Sequence, residues 1–163
     1  MDIESSLFQK TIFIHFIKNK QHSCKYLKKD FNCLKMISMA EEVREDLKYT
    51  KSHEWIKVKD DIAVVGITDH AQTELTDIVF AELPEIGKEV KKDDELCVVE
   101  SVKSVSEIYA PLSGTVVKVN TKLDDSPEII NESPYDDGWL VELKIADKSE
   151  IKDLLDAAAY KQL

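Results

Sequence analysis

The sequence predicts a mainly β domain with short helices, built as a small sandwich or barrel. Several short runs alternate apolar and polar side chains, as strands with one buried face do. Turn-forming residues separate these runs at short intervals, a spacing typical of β-sandwiches and small barrels. The strands predicted in this way span residues 54–59, 62–68, 78–83, 95–101, 105–110, 115–120 and 139–145.

The first two predicted strands form a hairpin. Residues 54–59 alternate β-branched residues with Trp and Lys, and a pair of aspartates then turns the chain into the β-rich run 62–68. Asp69 is followed three residues later by Gln72, a spacing that has the form of a helix capping box. We therefore expect one or two helical turns over residues 70–75 before the next strand.

Proline and glycine divide the rest of the domain. Pro84 and Gly87 end the third predicted strand, and a Pro-Leu-Ser-Gly turn at residues 111–114 separates two later ones. A polar loop with further prolines leads to the last strand. Beyond Ser149, apolar side chains recur at i, i+3, i+4, i+7 and i+8, which predicts an amphipathic C-terminal helix packed against the sheet. These apolar residues are Ile151, Leu154, Leu155, Ala158 and Ala159.

The chain divides into two parts of opposite charge. Residues 1–40 carry seven lysines and three acids, a net charge of +4, whereas residues 41–163 carry fifteen basic and twenty-nine acidic residues, a net charge of −14. The basic, amphipathic leader is typical of an organelle transit peptide, which predicts import into the mitochondrial matrix. A natively disordered basic extension and a true start at Met36 or Met39 stay open, and in every case the segment lies outside the folded domain.

The composition argues against several classes of function. With a formal net charge of −10 and a pI near 4.9, the protein lacks the clustered cations that bind nucleic acid or anionic membranes, so basic proteins are the expected partners. The longest apolar run, 12–17, is interrupted by His15 and is too short to span a membrane. The cysteines, Cys24, Cys33 and Cys97, lack disulfide or zinc spacing, which favours reduced thiols in an intracellular compartment.

A lone lysine, Lys103, stands between two predicted strands in the sequence Glu-Ser-Val-Lys-Ser. Its position predicts a hairpin tip. The tip contains neither Asn-Gly nor Gly-X, the usual residues of a tight hairpin. From the residues alone, a solvated lysine on a strand is therefore the simplest interpretation.

The same stretch resembles the attachment motif of the lipoyl and biotinyl carrier fold. Gly87 lies sixteen residues before Lys103 and Gly114 eleven residues after it, whereas biotinyl carriers typically have Ala-Met-Lys-Met around the lysine. From about Leu47 to the C-terminus the chain is similar to the H-protein family of the glycine cleavage system. The similar segments are residues 49–55, 65–72, 77–84 and 133–139, which read Tyr-Thr-Lys-Ser-His-Glu-Trp, Val-Gly-Ile-Thr-Asp-His-Ala-Gln, Asp-Ile-Val-Phe-Ala-Glu-Leu-Pro and Ser-Pro-Tyr-Asp-Asp-Gly-Trp.

The resemblance implies a fold, a cofactor and a set of partners. The fold would be the barrel-sandwich hybrid, or hammerhead, of lipoyl carriers, with short helices and a C-terminal helix. Lipoate would be attached covalently to Lys103, and the protein would shuttle the aminomethyl group of glycine without being an enzyme. Its partners would be glycine decarboxylase (P protein), aminomethyltransferase (T protein), dihydrolipoamide dehydrogenase (L protein) and a lipoate-attaching enzyme, each meeting a monomeric carrier.

The resemblance also implies the residues of a binding cleft. Ser52, Glu54 and Glu107 would line a water-poor cleft that holds the cationic amine of the cargo, since carboxylates bind ammonium groups strongly where water is excluded. Glu100 would be the acid that the attaching enzyme reads when it selects Lys103. For each of the three glutamates and for Ser52, an ordinary solvated surface position stays open.

Five other residues favour structural roles. His53 and His70 have no third ligand at a metal-binding spacing, so no metal is predicted. Cys97 alternates with apolar neighbours and is expected to be a small buried side chain. Trp55 and Trp139 are expected in the core or in a cleft wall.

Three other functions have to be distinguished from the shuttle. An H-like carrier that passes lipoate to 2-oxoacid dehydrogenases would share every motif with the shuttle. Whether the host encodes the decarboxylase and the aminomethyltransferase distinguishes the shuttle from this carrier. A free-standing enzyme is disfavoured because the sequence has no Ser/His/Asp order, phosphate loop or metal cluster. An unmodified acidic interaction module would tolerate replacement of Lys103.

Overall fold

The structure, a computed structural model, describes residues 41–163. The predicted transit peptide or basic extension over residues 1–40, two of the three cysteines and both alternative start residues lie outside the described part. No helix between residues 41 and 163 combines the length and the apolar composition that crossing a membrane requires.

The described residues form two antiparallel sheets of short strands. The strands are β1 Lys48–Tyr49, β2 Glu54–Lys59, β3 Ile62–Ile67, β4 Ile78–Glu82, β5 Glu89–Val90, β6 Glu95–Ser101, β7 Val105–Tyr109, β8 Gly114–Val119 and β9 Val141–Ile145. The larger sheet has the order β1-β2-β3-β9-β8-β5, and the smaller has the order β4-β6-β7. The mainly β prediction is therefore confirmed.

The predicted strands agree with the structure to within two residues. β2 and β6 have the predicted bounds, while β3, β4 and β7 each end one residue earlier than predicted. β8 is shifted by one residue, and β9 begins two residues late. The sequence did not indicate β1 and β5, because two residues are too few to display alternation.

The helices are short and lie between strands or after the last strand. They are α1 Asp69–Leu75, α2 Lys122–Asp125, α3 Ile129–Glu132 and α4 Ala157–Tyr160, and a 3-10 helix covers Lys148–Asp153. The sequence predicted only a polar loop where α2 and α3 lie. Each covers about one turn, which is too short for a periodic pattern, but α2 buries Leu123 and α3 buries Ile130.

The cap of α1 differs from the prediction. Thr68, not Asp69, is the N-cap: its backbone is extended and its hydroxyl accepts a hydrogen bond from the Ala71 N–H at 3.3 Å. Asp69 is the first helical residue, and its carboxylate accepts from the Gln72 side-chain amide at 2.7 Å. Thr68 takes the N-cap position because its backbone N–H donates to the carbonyl of His53. This hydrogen bond fixes the extended backbone that an N-cap residue needs.

The single amphipathic C-terminal helix predicted for residues 151–159 is wrong. The 3-10 helix ends at Asp153, and Leu155 then pairs with Tyr49 through two backbone hydrogen bonds of 2.8 and 2.9 Å. Asp156 caps the separate helix α4 by accepting from the Ala159 N–H at 2.8 Å. Pairing with β1 requires extended backbone at Leu155, so the apolar spacing reflects two short helices rather than one.

The main hydrophobic core contains side chains from both sheets. β2 and β3 contribute Ile56 and Val65, while Cys97 and Val99 of β6 contribute from the smaller sheet. Cys97 is buried as its alternation predicts, and this burial raises the pKa of its thiol to about 12. The thiol is therefore neutral and acts as a small apolar side chain.

A second cluster packs on the opposite face of β2 and consists of Leu47, Tyr49, Trp55, Tyr135, Ala157 and Tyr160. Trp55 is buried there and donates through its indole nitrogen to the Pro134 carbonyl at 2.9 Å. A Cβ on Gly66 would lie 2.6 Å from the Trp55 ring, so only glycine fits opposite it. Trp139 packs at the edge of the cluster beneath the amine of Lys118. Both tryptophans thus have the structural positions that the sequence predicts.

Thr76, directly after α1, has a strained backbone. Its φ of 66° and ψ of −140° lie in a region that favours glycine and excludes most β-branched residues. Its carbonyl accepts a hydrogen bond of 2.7 Å from the side chain of Asn131, which holds this conformation. The buried hydroxyl of Thr76 has no hydrogen-bond partner within residues 41–163.

We expect Thr76→Gly to raise the free energy of unfolding by about 1 kcal/mol, because it relieves the backbone strain and removes an unpaired hydroxyl. The measurement is urea unfolding followed by circular dichroism. Thr73→Gly, inside α1, is the matched control and should lower stability by roughly a few tenths of a kcal/mol. Destabilisation by Thr76→Gly would show that the threonine side chain stabilises this turn.

Candidate functional site

Lys103 lies at the tip of the β6–β7 hairpin, where the sequence predicts it. The turn has no glycine and is stabilised instead by the side chain of Ser101. Its hydroxyl oxygen accepts hydrogen bonds from the N–H groups of Lys103 at 3.2 Å and Ser104 at 3.1 Å. The Ser101 N–H also donates to the Ser104 carbonyl at 2.8 Å. The N–H of Val102 binds the Asp77 carbonyl at 3.0 Å, which attaches the tip to the segment before β4. The hairpin therefore holds an exposed lysine on an ordered turn.

Glu100 lies on the solvent face of the smaller sheet, next to the hairpin tip. It pairs in register with Val105 of β7 and Phe80 of β4. Directly opposed residues of antiparallel strands share a face, and Phe80 and Val105 are 48% and 64% exposed. A protein that approaches the lysine from this side would contact Glu100.

A cleft of about 250 Å³ opens beside the start of β2. Four segments form its walls: residues 49–52 with Glu54, Lys92 and Asp93, residues 109–111, and residues 153–155. Ser52 and Glu54 both line it, as the resemblance implies. Lys92 pairs with Asp153 at 2.8 Å within the wall, and this hydrogen bond raises the pKa of Lys92.

Glu54 is the buried acid of the cleft, with 1% of its surface exposed. One carboxylate oxygen, Oε2, accepts hydrogen bonds from the hydroxyls of Thr50 and of Ser52, the latter at 2.7 Å. The other, Oε1, accepts a longer bond of 3.3 Å from the Tyr109 N–H. No Lys, Arg or His in the described part of the chain forms a salt bridge with Glu54. Buried acids usually have a cationic partner, so this cleft is suited to accept one.

Tyr109 links the two acids that the resemblance assigns to the cleft. Its backbone N–H binds Glu54, and its hydroxyl donates to Glu107 Oε2 at 2.6 Å. The bond to Glu107 raises the pKa of Tyr109, so the phenol stays a proton donor at neutral pH. Glu107 itself is exposed and lies outside the residues that line the cleft. The two acids are therefore joined through one residue rather than facing each other across an enclosed pocket.

Lys103 and Glu100 are separated from the cleft. β7 runs from Val105, next to the tip, to Tyr109, which lines the cleft. At about 3.3 Å per residue, the strand puts Val105 roughly 13 Å from Tyr109, and Lys103 lies two residues farther along the chain from the cleft. An unmodified lysine side chain is much shorter than this distance, whereas a long extension of the lysine would bridge it.

Sequence reasoning missed two residues of the site, Thr50 and Tyr109. Thr50 binds Glu54 twice, since its hydroxyl donates to the carboxylate and accepts from the Glu54 N–H at 3.0 Å. Strand alternation places Tyr109 on the same face of β7 as Glu107, which is the one local signal for it. Its contact with Glu54 joins residues 55 positions apart, so no local sequence pattern indicates it.

The two histidines contact each other beside the cleft loop. The rings of His53 and His70 lie 4.3 Å apart. His53 Nδ1 is 2.6 Å from the Tyr160 hydroxyl, and His70 Nδ1 is 2.7 Å from a Glu41 carboxylate oxygen. Burial, followed by the proximity of His70, lowers the pKa of His53. No group of three side chains within residues 41–163 has metal-binding geometry.

The comparisons with known proteins agree with this architecture. A family model described as Glycine cleavage H-protein matches residues 47–163. A glycine cleavage system H protein of Symbiobacterium thermophilum is 56% identical over 118 residues, covering 72% of this chain and 92% of the relative. A glycine cleavage system H protein of Thermotoga maritima is 52% identical over 115 residues, covering 71% of this chain and 93% of the relative. The crystal structure of a glycine cleavage system H protein from Mycobacterium marinum superposes with a TM-score of 0.68 at 38% identity, covering 74% of this chain and 97% of that one.

The lowered pKa of His53 predicts a pH dependence of stability. As the pH falls, the unfolded chain binds a proton at this residue before the folded protein does. The stability from neutral His53 is fully present above about pH 6.5 and is lost as the pH falls from there towards the folded-state pKa. We expect the Tm to drop between about pH 7 and pH 5.5, and His53→Gln to reduce that slope. Equal slopes for both proteins would show that His53 does not titrate differently on unfolding.

Proposed function

The chain belongs to the glycine cleavage H-protein family, and we propose that Lys103 is its site of lipoyl attachment. Members of this family are lipoyl carriers and not enzymes, and the two-sheet fold is the barrel-sandwich hybrid of that family. The observation that carries the proposal is the exposed lysine at a hydrogen-bonded hairpin tip, from which a strand roughly 13 Å long leads to a cleft whose buried acid has no salt-bridge partner among the described residues.

The protein is a shuttle of the glycine cleavage system. It carries the aminomethyl group of glycine from the decarboxylase to the aminomethyltransferase and returns to dihydrolipoamide dehydrogenase for reoxidation. The attached lipoyl group supplies the dithiolane that accepts the aminomethyl group. The chain itself supplies an accessible attachment point and a sheltered place for the cargo, and none of its side chains has to make or break a bond.

We assign the cleft formed by Ser52 and Glu54, with Glu107 bound to the hydroxyl of the wall residue Tyr109, to the cationic amine of the cargo. A carboxylate forms its strongest hydrogen bonds with a charged donor, and these strengthen where water is excluded. The 3.3 Å contact at Glu54 Oε1 is weak, so this oxygen is free to accept a further donor. Glu107 is exposed and is assigned a weaker contribution, because solvent screens its charge.

We assign Glu100 to recognition by the lipoate-attaching enzyme. Its position on the exposed sheet face, in register with Val105 beside the tip, supports this assignment. An enzyme that modifies Lys103 has to cover the tip, and Glu100 is the acid nearest to it along β6.

We propose that the protein acts as a monomer in the mitochondrial matrix and meets its own P, T and L proteins through an acidic surface. The strands β4, β6 and β7 contain four glutamates and no Lys or Arg, whereas the larger sheet contains five lysines and three glutamates. A basic partner surface would therefore approach the sheet that presents Lys103. The net charge of +4 in residues 1–40 supports import.

Lys103→Arg should abolish lipoylation, because arginine keeps the positive charge but offers no amine for amide formation. The measurement is intact mass with peptide mapping after incubation with lipoate and an attaching enzyme. Lys59→Arg is the matched control, since Lys59 stands at the end of β2 in the β2–β3 hairpin. A lipoyl gain that persists in Lys103→Arg, or disappears in Lys59→Arg, would contradict the assignment.

Glu54→Gln should shorten the lifetime of the aminomethyl cargo by about tenfold or more, the effect of losing a charged hydrogen-bond partner. Glu107→Gln should shorten it less, because that acid is exposed. The measurement is the rate of ammonia release from the loaded protein, with equal lipoylation confirmed by mass. Identical decay of the wild type and Glu54→Gln would remove Glu54 from the cleft function.

A further inference from the structure

The cleft residues Ser52 and Glu54 stand in a tight loop that depends on His53 between them. The loop closes through a bond from the Thr50 N–H to the Glu54 carbonyl, 3.0 Å, and through the Glu54 N–H to the Thr50 hydroxyl, also 3.0 Å. His53 has a φ of 71°, a left-handed conformation that costs free energy for a residue with a Cβ. Something outside the loop has to stabilise this conformation.

Contacts from three directions hold His53. Its carbonyl accepts from the Thr68 N–H at 2.9 Å, which joins it to the start of α1. Its ring packs on His70, and its Nδ1 lies 2.6 Å from the hydroxyl of Tyr160 in the C-terminal helix α4. The bond to Tyr160 is the shortest of these contacts and spans 107 residues of sequence.

Tyr160 is fixed in place by its own neighbours. It is 6% exposed, and its ring stacks on Tyr49 at 4.5 Å and 14°. Its hydroxyl also lies 3.0 Å from Thr68 Oγ1, which already accepts from the N–H of Ala71. One consistent arrangement has Thr68 donating to Tyr160 and Tyr160 donating to neutral His53. Burial raises the pKa of Tyr160, which keeps its proton available for this bond.

The segment that ends in Tyr160 also forms a wall of the cleft. Asp153, Leu154 and Leu155 line the cleft, and Leu155 pairs with Tyr49, which also lines it. The C-terminal residues thus contact the cleft twice, once as a wall and once through His53.

We propose that Tyr160 is a positioning residue for the cargo cleft: its hydroxyl holds His53 in the left-handed conformation that directs the flanking Ser52 and Glu54 into the cleft. This inference rests on the proposed carrier function. Tyr160 does not line the cleft, so it acts through the loop and not by contact with the cargo.

Tyr160→Phe removes the hydroxyl and keeps the ring on Tyr49. We expect the aminomethyl cargo to be lost roughly two- to tenfold faster, the range that corresponds to one neutral hydrogen bond. Water releases this cargo as formaldehyde and ammonia and leaves the thiol, and both products can be measured. The lipoyl mass on Lys103 should equal that of the wild type, so a failure of attachment is recognised separately.

Tyr135→Phe is the matched control. Tyr135 belongs to the same aromatic cluster, and its hydroxyl donates to the Glu42 carbonyl and accepts from the Asp69 N–H, but it has no hydrogen bond to the cleft loop. We expect Tyr135→Phe to lower the free energy of unfolding about as much as Tyr160→Phe does, but to leave the decay rate of the cargo unchanged. Equal acceleration in both variants would mean that Tyr160 acts only through overall stability, and this overturns the proposal.

A second measurement needs no lipoyl group. Amide hydrogen exchange of the unmodified protein should be faster at Thr50, Glu54 and Thr68 in Tyr160→Phe than in Tyr135→Phe, because these amides close the loop and bind His53. His53→Ala should remove the effect, so that adding Tyr160→Phe to it changes neither exchange nor cargo decay. Unchanged exchange at these amides in Tyr160→Phe, or full additivity with His53→Ala, overturns the proposal.

Discussion

The buried carboxylate of Glu54 is the constraint on which the site depends. An acid that is 1% exposed is destabilising unless hydrogen bonds replace its water, and here the donors are two hydroxyls of its own loop and one backbone N–H of β7. These donors come from both sheets, so the cleft forms only when the sheets are packed together. No Lys, Arg or His among the described residues forms a salt bridge with this carboxylate, and this is the physical basis for the proposal that the cleft binds a cationic amine.

Exposure of the lysine and shelter of the cargo are opposite requirements, and the fold satisfies them at the two ends of β7. Val105 stands beside an open hairpin tip that enzymes can reach, whereas Tyr109 borders the cleft and contacts Glu54. A rigid strand fixes the distance between the two places. With the proposed attachment at Lys103, movement of the arm alone would exchange one environment for the other, and the sheets would not have to change conformation.

The sequence predicts the strands well because alternation is a local property of five to seven residues. It fails where structure depends on distant partners. Leu155 has a helical spacing but pairs with Tyr49, and Thr68 caps α1 because His53 binds its N–H. The sequence places Lys103 at a hairpin tip, but functions for Lys103 and Glu54 follow only from the family resemblance, since a lysine at a tip and an acid on a strand have no local mark of function. Thr50, Tyr109 and Tyr160 contribute through hydrogen bonds that no spacing reveals.

The acidic excess of the domain serves two purposes that composition cannot separate. Most acids are solvated, and those of the smaller sheet give it a negative surface, a charge distribution that would speed encounters with the proposed basic partners without demanding tight affinity. Glu54 is withdrawn from solvent, and in the proposed cleft function it would act at short range on a single cation. Salt screens the attraction between exposed charges, since the Debye length at 0.1 M ionic strength is about 10 Å. It screens a buried carboxylate much less. Under the proposed roles, partner exchange and cargo retention would therefore respond independently to ionic strength, which suits a carrier that visits three enzymes in turn.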